Sequence, residues 1–179
     1  MNPSEQQTQQ TQASQAHDAN EATPPPPAFQ VSEWLNAPES ITLDSFRGRV
    51  VVVYTFQMLC PGCVSNSLPQ ALRLHEMLDA NDTMLLGLHT VFEHHAVMGA
   101  QALHVFAHEY QLRFPIGIDA ADPQAPVPLT MQAYGLRGTP SLLMFDRQGR
   151  LRVNHFGHLD DLRVGALIGR LQAEAPADD

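Results

Sequence analysis

Val50-Val51-Val52-Val53-Tyr54-Thr55-Phe56, running through Gln57-Met58-Leu59 into Cys60-Pro61-Gly62-Cys63, sets the architecture expected of the whole chain. Seven β-branched or aromatic residues without alternation read as a strand buried on both faces, the pattern of a central strand in an α/β sheet. Cys60-Pro61-Gly62-Cys63 breaks that run. From 64 to 78 the apolar positions Leu68, Ala71, Leu72, Leu74 and Leu78 fall near helical spacing, with a kink expected at Pro69. The two cysteines therefore stand where a buried strand turns into a helix. A cysteine capping that helix would have its sulfur beside unpaired backbone donors and the positive end of the dipole, which stabilise a thiolate. Pro61 suits the first helical position, where its missing donor is not needed. A second sulfur one turn along reaches the first, so a mixed disulfide formed at Cys60 can be resolved by Cys63.

A zinc half-site is the competing reading of the same pair. A closed tetrahedral site takes four ligands, and with two cysteines in the chain the others would be histidine or carboxylate. Histidine is plentiful: His89, His94 and His95 cluster after the second apolar run, and His104 and His108 have i, i+4 spacing. A CxxC beside a strand–helix–strand pattern favours redox exchange, so no metal is expected, and no cofactor beyond the Cys60–Cys63 couple itself.

Outward from this centre, a second strand is expected at 84–88, a helix at 96–110 and a short strand at 114–118. A proline-rich loop at 122–128 leads to a brief helix at 129–134. Ser141-Leu142-Leu143-Met144-Phe145 and Leu151-Arg152-Val153-Asn154-His155 flank a four-residue turn ending in Gly149 and read as a hairpin. A last helix at 159–171 has Asp160 and Asp161 in its first turn, where the dipole favours negative charge. Upstream, 31–43 reads as a short edge element. The order predicts a mixed sheet with a parallel part and one antiparallel edge.

The 179 residues, 44% of them apolar, suffice for one packed domain. Ten basic against nineteen acidic side chains give a net charge of -9, the opposite of a phosphate-binding surface, so nucleic acid is not an expected partner. No apolar run approaches the roughly 20 residues of a membrane-spanning helix. Residues 1–30, rich in Gln, Thr, Ser and Ala and closing with Pro24-Pro25-Pro26-Pro27, are expected to be a disordered tail. They lack the charged start and apolar centre of an export signal, which favours a cytoplasmic location. The domain is expected over 31–172, with 173–179 a flexible acidic end.

A second motif, Gly138-Thr139-Pro140, precedes the hairpin. By itself it is an ordinary Gly-X-Pro turn. Together with a strand–CxxC–helix unit, a hairpin and a closing helix, it makes residues 40–171 resemble the thioredoxin superfamily, most closely its TlpA-like and peroxiredoxin-related redoxin branch. The resemblance implies a three-layer α/β fold with an extra strand and helix inserted over 90–119. It implies Cys60 as nucleophile, Cys63 as resolving thiol, a cis Pro140, and substrate contact from Pro61, Gly62, Thr139 and Pro140. The implied function is thiol–disulfide exchange on protein or small-molecule disulfides and thiols, recharged by a separate reductant or oxidant, in cellular redox homeostasis.

The chain departs from that family at several positions. Leu59 stands where the family usually has tryptophan, Tyr54 where thioredoxins carry a buried carboxylate, and Asn66 where TlpA-like relatives carry a glutamate. Tyr54, Gln57 and His89 are the replacement candidates for proton transfer, with His94 and His95 as further histidines. A thiol peroxidase is the alternative enzyme reading. Peroxiredoxins place Thr three and Pro seven residues before the reactive cysteine, and here those positions are Gln57 and Val53.

Overall fold

The computed structural model describes residues 24–37 and 40–174. Its centre is a six-stranded sheet of β1 (Val31–Leu35), β2 (Val50–Phe56), β3 (Thr83–His89), β4 (Ile116–Asp119), β5 (Ser141–Phe145) and β6 (Leu151–Phe156). The helices are α1 (Leu68–Met77), α2 (Ala100–Glu109), α3 (Leu129–Ala133) and α4 (Asp161–Ala173). Strand order is β1-β4-β3-β2-β5-β6. The pairs β2–β3 and β3–β4 are parallel, and β2–β5 and β5–β6 antiparallel. This is the mixed α/β sheet expected of the thioredoxin fold.

All seven residues of β2 are buried, as their unalternating apolar character requires. Their side chains divide between two cores. Val52, Tyr54 and Phe56 pack with α1, α2 and α4 on one face. Val51 and Val53 pack on the other with Met131 and Tyr134 of the α3 region, Phe46 of a 3-10 turn (Leu43–Phe46), and Phe29. The edge strand β6 instead alternates between half-buried and exposed positions.

Several boundaries differ from the sequence expectation. β1 pairs antiparallel with β4, giving the sheet a second antiparallel edge where one was expected. The packed chain also begins before residue 31. The Pro27 carbonyl accepts from the Tyr134 hydroxyl at 2.6 Å, and the Phe29 ring lies 5.6 Å from that of Tyr134 and 6.0 Å from that of Phe145. These anchors are single residues at the end of a low-complexity run, so composition averaged over the run concealed them. Residues 1–23 and 175–179 lie outside the described residues; of the acidic end, Glu174 is described and pairs with Arg152. Helix α2 starts later than 96 because His94 takes a left-handed φ of 53° and a 3-10 turn (His95–Val97) precedes Gly99 at the N-cap.

The irregularity expected at Pro69 takes the form of a π turn over Cys63–Ser67, directly before α1. Pro69 has no N–H to give to the Ser65 carbonyl, and a widened turn accommodates that loss. Asp119, at the end of β4, is buried and binds the start of α3. Its Oδ1 accepts from the Thr130 N–H at 2.8 Å, and its Oδ2 from the Met131 N–H and the Thr90 hydroxyl, both at 2.9 Å. This carboxylate ties the start of α3 to the ends of β3 and β4.

Candidate active site

The site lies at the C-terminal end of β2, where the chain leaves the sheet and enters a helix. The Cys60 carbonyl accepts from the Val64 N–H at 3.1 Å, and Gly62 already has helical angles, so Cys60 is the N-cap and Pro61 the first helical residue. The Cys63 N–H points at the Cys60 Sγ from 3.2 Å. Sulfur thus occupies the place that a Ser, Thr or Asp oxygen takes in an ordinary cap. Cys60 and Cys63 form a disulfide with Cα atoms 5.2 Å apart. Cys63 is fully buried while Cys60 is half-buried, so an outside molecule can reach only the first sulfur.

Facing the pair is the loop 138–140. The Thr139–Pro140 peptide is cis, and the Thr139 carbonyl oxygen lies 3.5 Å from Cys60 Sγ. A Cβ added at Gly62 would be 3.5 Å from Pro140 Cδ, so the CxxC turn and the proline ring are in near contact. The four residues expected to touch substrate therefore converge on one place. The Pro140 carbonyl accepts from the Gly157 N–H at 2.8 Å, tying this loop to the end of β6.

The candidates for proton transfer separate. Gln57 is buried just before the disulfide: its Oε1 accepts from the Phe92 N–H at 3.3 Å, and its Nε2 lies 3.4 Å from Thr139 Oγ1 and 3.5 Å from Glu93 Oε1. It bridges three loops around the sulfurs. Tyr54 lies in the same core as Cys63, but its hydroxyl donates to Gln70 Oε1 at 2.8 Å, and Gln70 Nε2 donates onward to Asp161 Oδ1 at 2.7 Å. Burial holds the Tyr54 proton well above the ordinary tyrosine range. Its hydroxyl therefore braces α1 against α4.

His89 is 1% exposed and opposite Phe56 in the β2–β3 register, with ring centroids 5.3 Å apart. Neither ring nitrogen has a hydrogen-bond partner among the described residues, and burial pushes its pKa down to about 4. Burial thus favours the neutral imidazole. The sequence cluster thus splits in space, because His94 and His95 are exposed. His104 pairs with Glu33 at 2.6 Å and His108 contacts Glu109 at 3.4 Å. Among the described residues no group of three or more His, Cys, Asp and Glu side chains is arranged to hold a metal.

Three exposed side chains flank the site. Leu59, beside Cys60, is 59% exposed; Phe156, at the end of β6, is 43% exposed; and the Arg137 guanidinium lies 5.2 Å over the Phe156 ring. Sequence reasoning did not single out Phe156 or Arg137. The signal was the Arg137-Gly138-Thr139 adjacency, but only the β5–β6 pairing of Ser141 with Phe156 brings the ring to that loop.

A half-buried sulfur at a helix cap, backed by a buried one and faced by a Thr-Pro turn, on this sheet, is the arrangement of a thioredoxin-fold dithiol protein. The chain belongs to the AhpC/TSA family, whose model matches residues 24–154. Among solved structures it is similar to a thioredoxin-like superfamily protein, at 44% identity, TM-score 0.83, covering 85% of this chain and 98% of that one. It is also similar to a thiol-disulfide isomerase from Corynebacterium glutamicum, at 45% identity, TM-score 0.81, covering 84% and 97%. A putative thiol:disulfide interchange protein DsbE from Chlorobium tepidum shares the fold, at 18% identity and TM-score 0.64, covering 83% and 94%. No curated protein matches the sequence.

Proposed function

We propose that the protein is a thiol–disulfide oxidoreductase in which Cys60 is the entry thiol and Cys63 the resolving thiol. The observation that carries this is the asymmetry of the pair: one sulfur is half-buried at a helix N-cap and the other is buried one turn behind it. In the reduced protein the Cys63 N–H and the helix dipole would stabilise a Cys60 thiolate. That thiolate attacks one sulfur of a substrate disulfide. A Cys60–substrate bond forms, the substrate S–S bond breaks, and the departing sulfur takes a proton. Cys63, deprotonated, then attacks Cys60 Sγ and releases the second substrate thiol. The substrate has gained two electrons and two protons, the protein holds the Cys60–Cys63 disulfide, and a separate dithiol donor restores it. The reverse sequence oxidises dithiols. Because both electrons reside on the two sulfurs, the cycle needs no further cofactor.

The Thr139–Pro140 loop is the substrate-contacting turn in this reading, since an extended chain lying over Cys60 Sγ also meets the Thr139 backbone. Similarity to a thiol-disulfide isomerase at 45% identity supports the same chemistry. The peroxidase alternative draws on the AhpC/TSA match. Gln57 and Val53 offer no hydroxyl to orient a peroxide, which favours disulfide exchange.

The test is intact mass after alkylation trapping across glutathione buffers, for the native sequence and Cys60→Ser. A reversible two-electron loss that vanishes in the variant is expected, and its midpoint gives the direction of exchange, on a scale where proteins of this fold span about -270 to about -120 mV. Thiols that stay reduced throughout, or rapid Cys60-dependent hydroperoxide turnover, would overturn the reading.

A further inference from the structure

The surface beside the disulfide is neither flat nor neutral. Gly138 has a φ of +154°, and a Cβ there would be 2.9 Å from Phe156 Cε2, so the backbone of the loop lies directly against that ring. On the same ring rests the Arg137 guanidinium, 5.2 Å from the centroid. Arg137 is exposed, and among the described residues no carboxylate lies within ion-pair distance of it. Most other arginines are committed. Arg47, Arg73, Arg147, Arg150, Arg152 and Arg163 each pair with an aspartate or glutamate.

The chain carries a net charge of -9 and contains no lysine. A guanidinium left without a counter-ion on such a surface, two residues from the Thr139 carbonyl that touches Cys60 Sγ, is a local positive site in a negative field. Its packing on Phe156 holds the planar group over the aromatic face while its N–H edges remain free for an incoming carboxylate. Leu59 supplies an apolar contact next to Cys60.

We infer that Arg137, held on Phe156, is a specificity-determining residue that selects peptide disulfides carrying a carboxylate beside the reacting cysteine. The inference rests on the oxidoreductase reading above. An extended substrate lying over Cys60 and along Thr139 passes Gly138 and Arg137 next, so a Glu or Asp near its cysteine meets the guanidinium, whereas a Lys there meets like charge.

The experiment uses the full chain in its reduced form and disulfide-linked dimers of one pentapeptide with Glu, Gln or Lys beside the cysteine. Rates of exchange are followed by chromatography at low and high salt. For the native protein the Glu peptide is expected to react about threefold faster than the Gln peptide and faster still than the Lys peptide, the scale of an exposed charge pair, with the preference shrinking as salt rises. Arg137→Gln should abolish the preference for the Glu peptide, and Arg137→Glu should reverse the order clearly in favour of Lys. Reversal by a single charge change cannot come from partial unfolding. Equal rates for the three peptides in the native protein, or a preference that survives both variants, would overturn the inference and leave the dithiol chemistry standing. Failure of the native protein to react with hydroxyethyl disulfide, which carries no charge, would overturn the oxidoreductase reading and this inference with it.

Discussion

The sulfur of Cys60 lies 3.5 Å from the carbonyl oxygen of Thr139, a residue 79 positions further along the chain. Two independent elements create the contact. The end of β2 delivers the cysteine at a helix cap, and the start of β5, paired antiparallel with β2 in the centre of the sheet, delivers the threonine. The pairing of Thr55 with Ser141 fixes their approach: Ser141 N donates to Thr55 Oγ1 at 3.0 Å, and Thr55 Oγ1 donates to the Ser141 carbonyl at 3.2 Å. The geometry on which substrate would be held is therefore a property of the sheet.

The two glycines at this contact should respond differently to substitution. A Cβ at Gly62 meets nothing nearer than 3.5 Å, and its backbone is helical, so Gly62→Ala should change stability by no more than roughly 0.5 kcal/mol. Gly138→Ala places a Cβ 2.9 Å from the Phe156 ring at a φ of +154°, and should cost roughly 1–3 kcal/mol. Urea denaturation of both variants checks the difference, and the Gly138 variant should also exchange disulfides more slowly because Thr139 is displaced.

Tyr54 stands where a proton-relaying carboxylate would be, yet its hydroxyl is engaged with Gln70. Tyr54→Phe leaves the Gln70 Oε1 without this donor in a buried place, at a cost of about 1–2 kcal/mol. The pH dependence of Cys60 alkylation in the reduced protein should be unchanged. A shifted alkylation profile would show that Tyr54 communicates with the sulfur after all.

His89 makes folding sensitive to acid. Its pKa is about 4 in the folded protein, against an ordinary value of 6.5. The unfolded chain therefore binds the proton more readily, and stability rises with pH between these two values. The contribution is fully present above pH 6.5 and is lost as pH falls toward 4, amounting to roughly 3 kcal/mol over the window. His89→Leu should flatten that part of the stability profile, measured by denaturant midpoints from pH 7 to pH 4.5.

How much of this was legible in the sequence differs from element to element. β2 and the CxxC junction were plain, because a seven-residue apolar run and a Cys-Pro-Gly-Cys break are local signals needing no partner. The hairpin β5–β6 and helix α4 were equally plain, from turn chemistry and from acidic residues at a helix start. The anchoring of residues 27–30 was hidden: Pro27, Phe29 and Gln30 acquire their partners from the α3 region and β5, at least 100 residues away. The histidines show the opposite failure. His89, His94 and His95 look like a cluster in sequence, but the first points into the core from the end of β3 while the others follow on the exposed turn beyond it.

A mixed α/β sheet and a cysteine pair at a strand–helix junction are legible in the sequence, since strand, cap and one-turn spacing are set by neighbouring residues. The tertiary structure alone decided which sulfur can be reached, what faces it, and which charge stands beside it. Burial of Cys63, approach of Thr139 and seating of Arg137 on Phe156 all depend on strands paired across long stretches of chain. No local pattern encodes the register that brings them together.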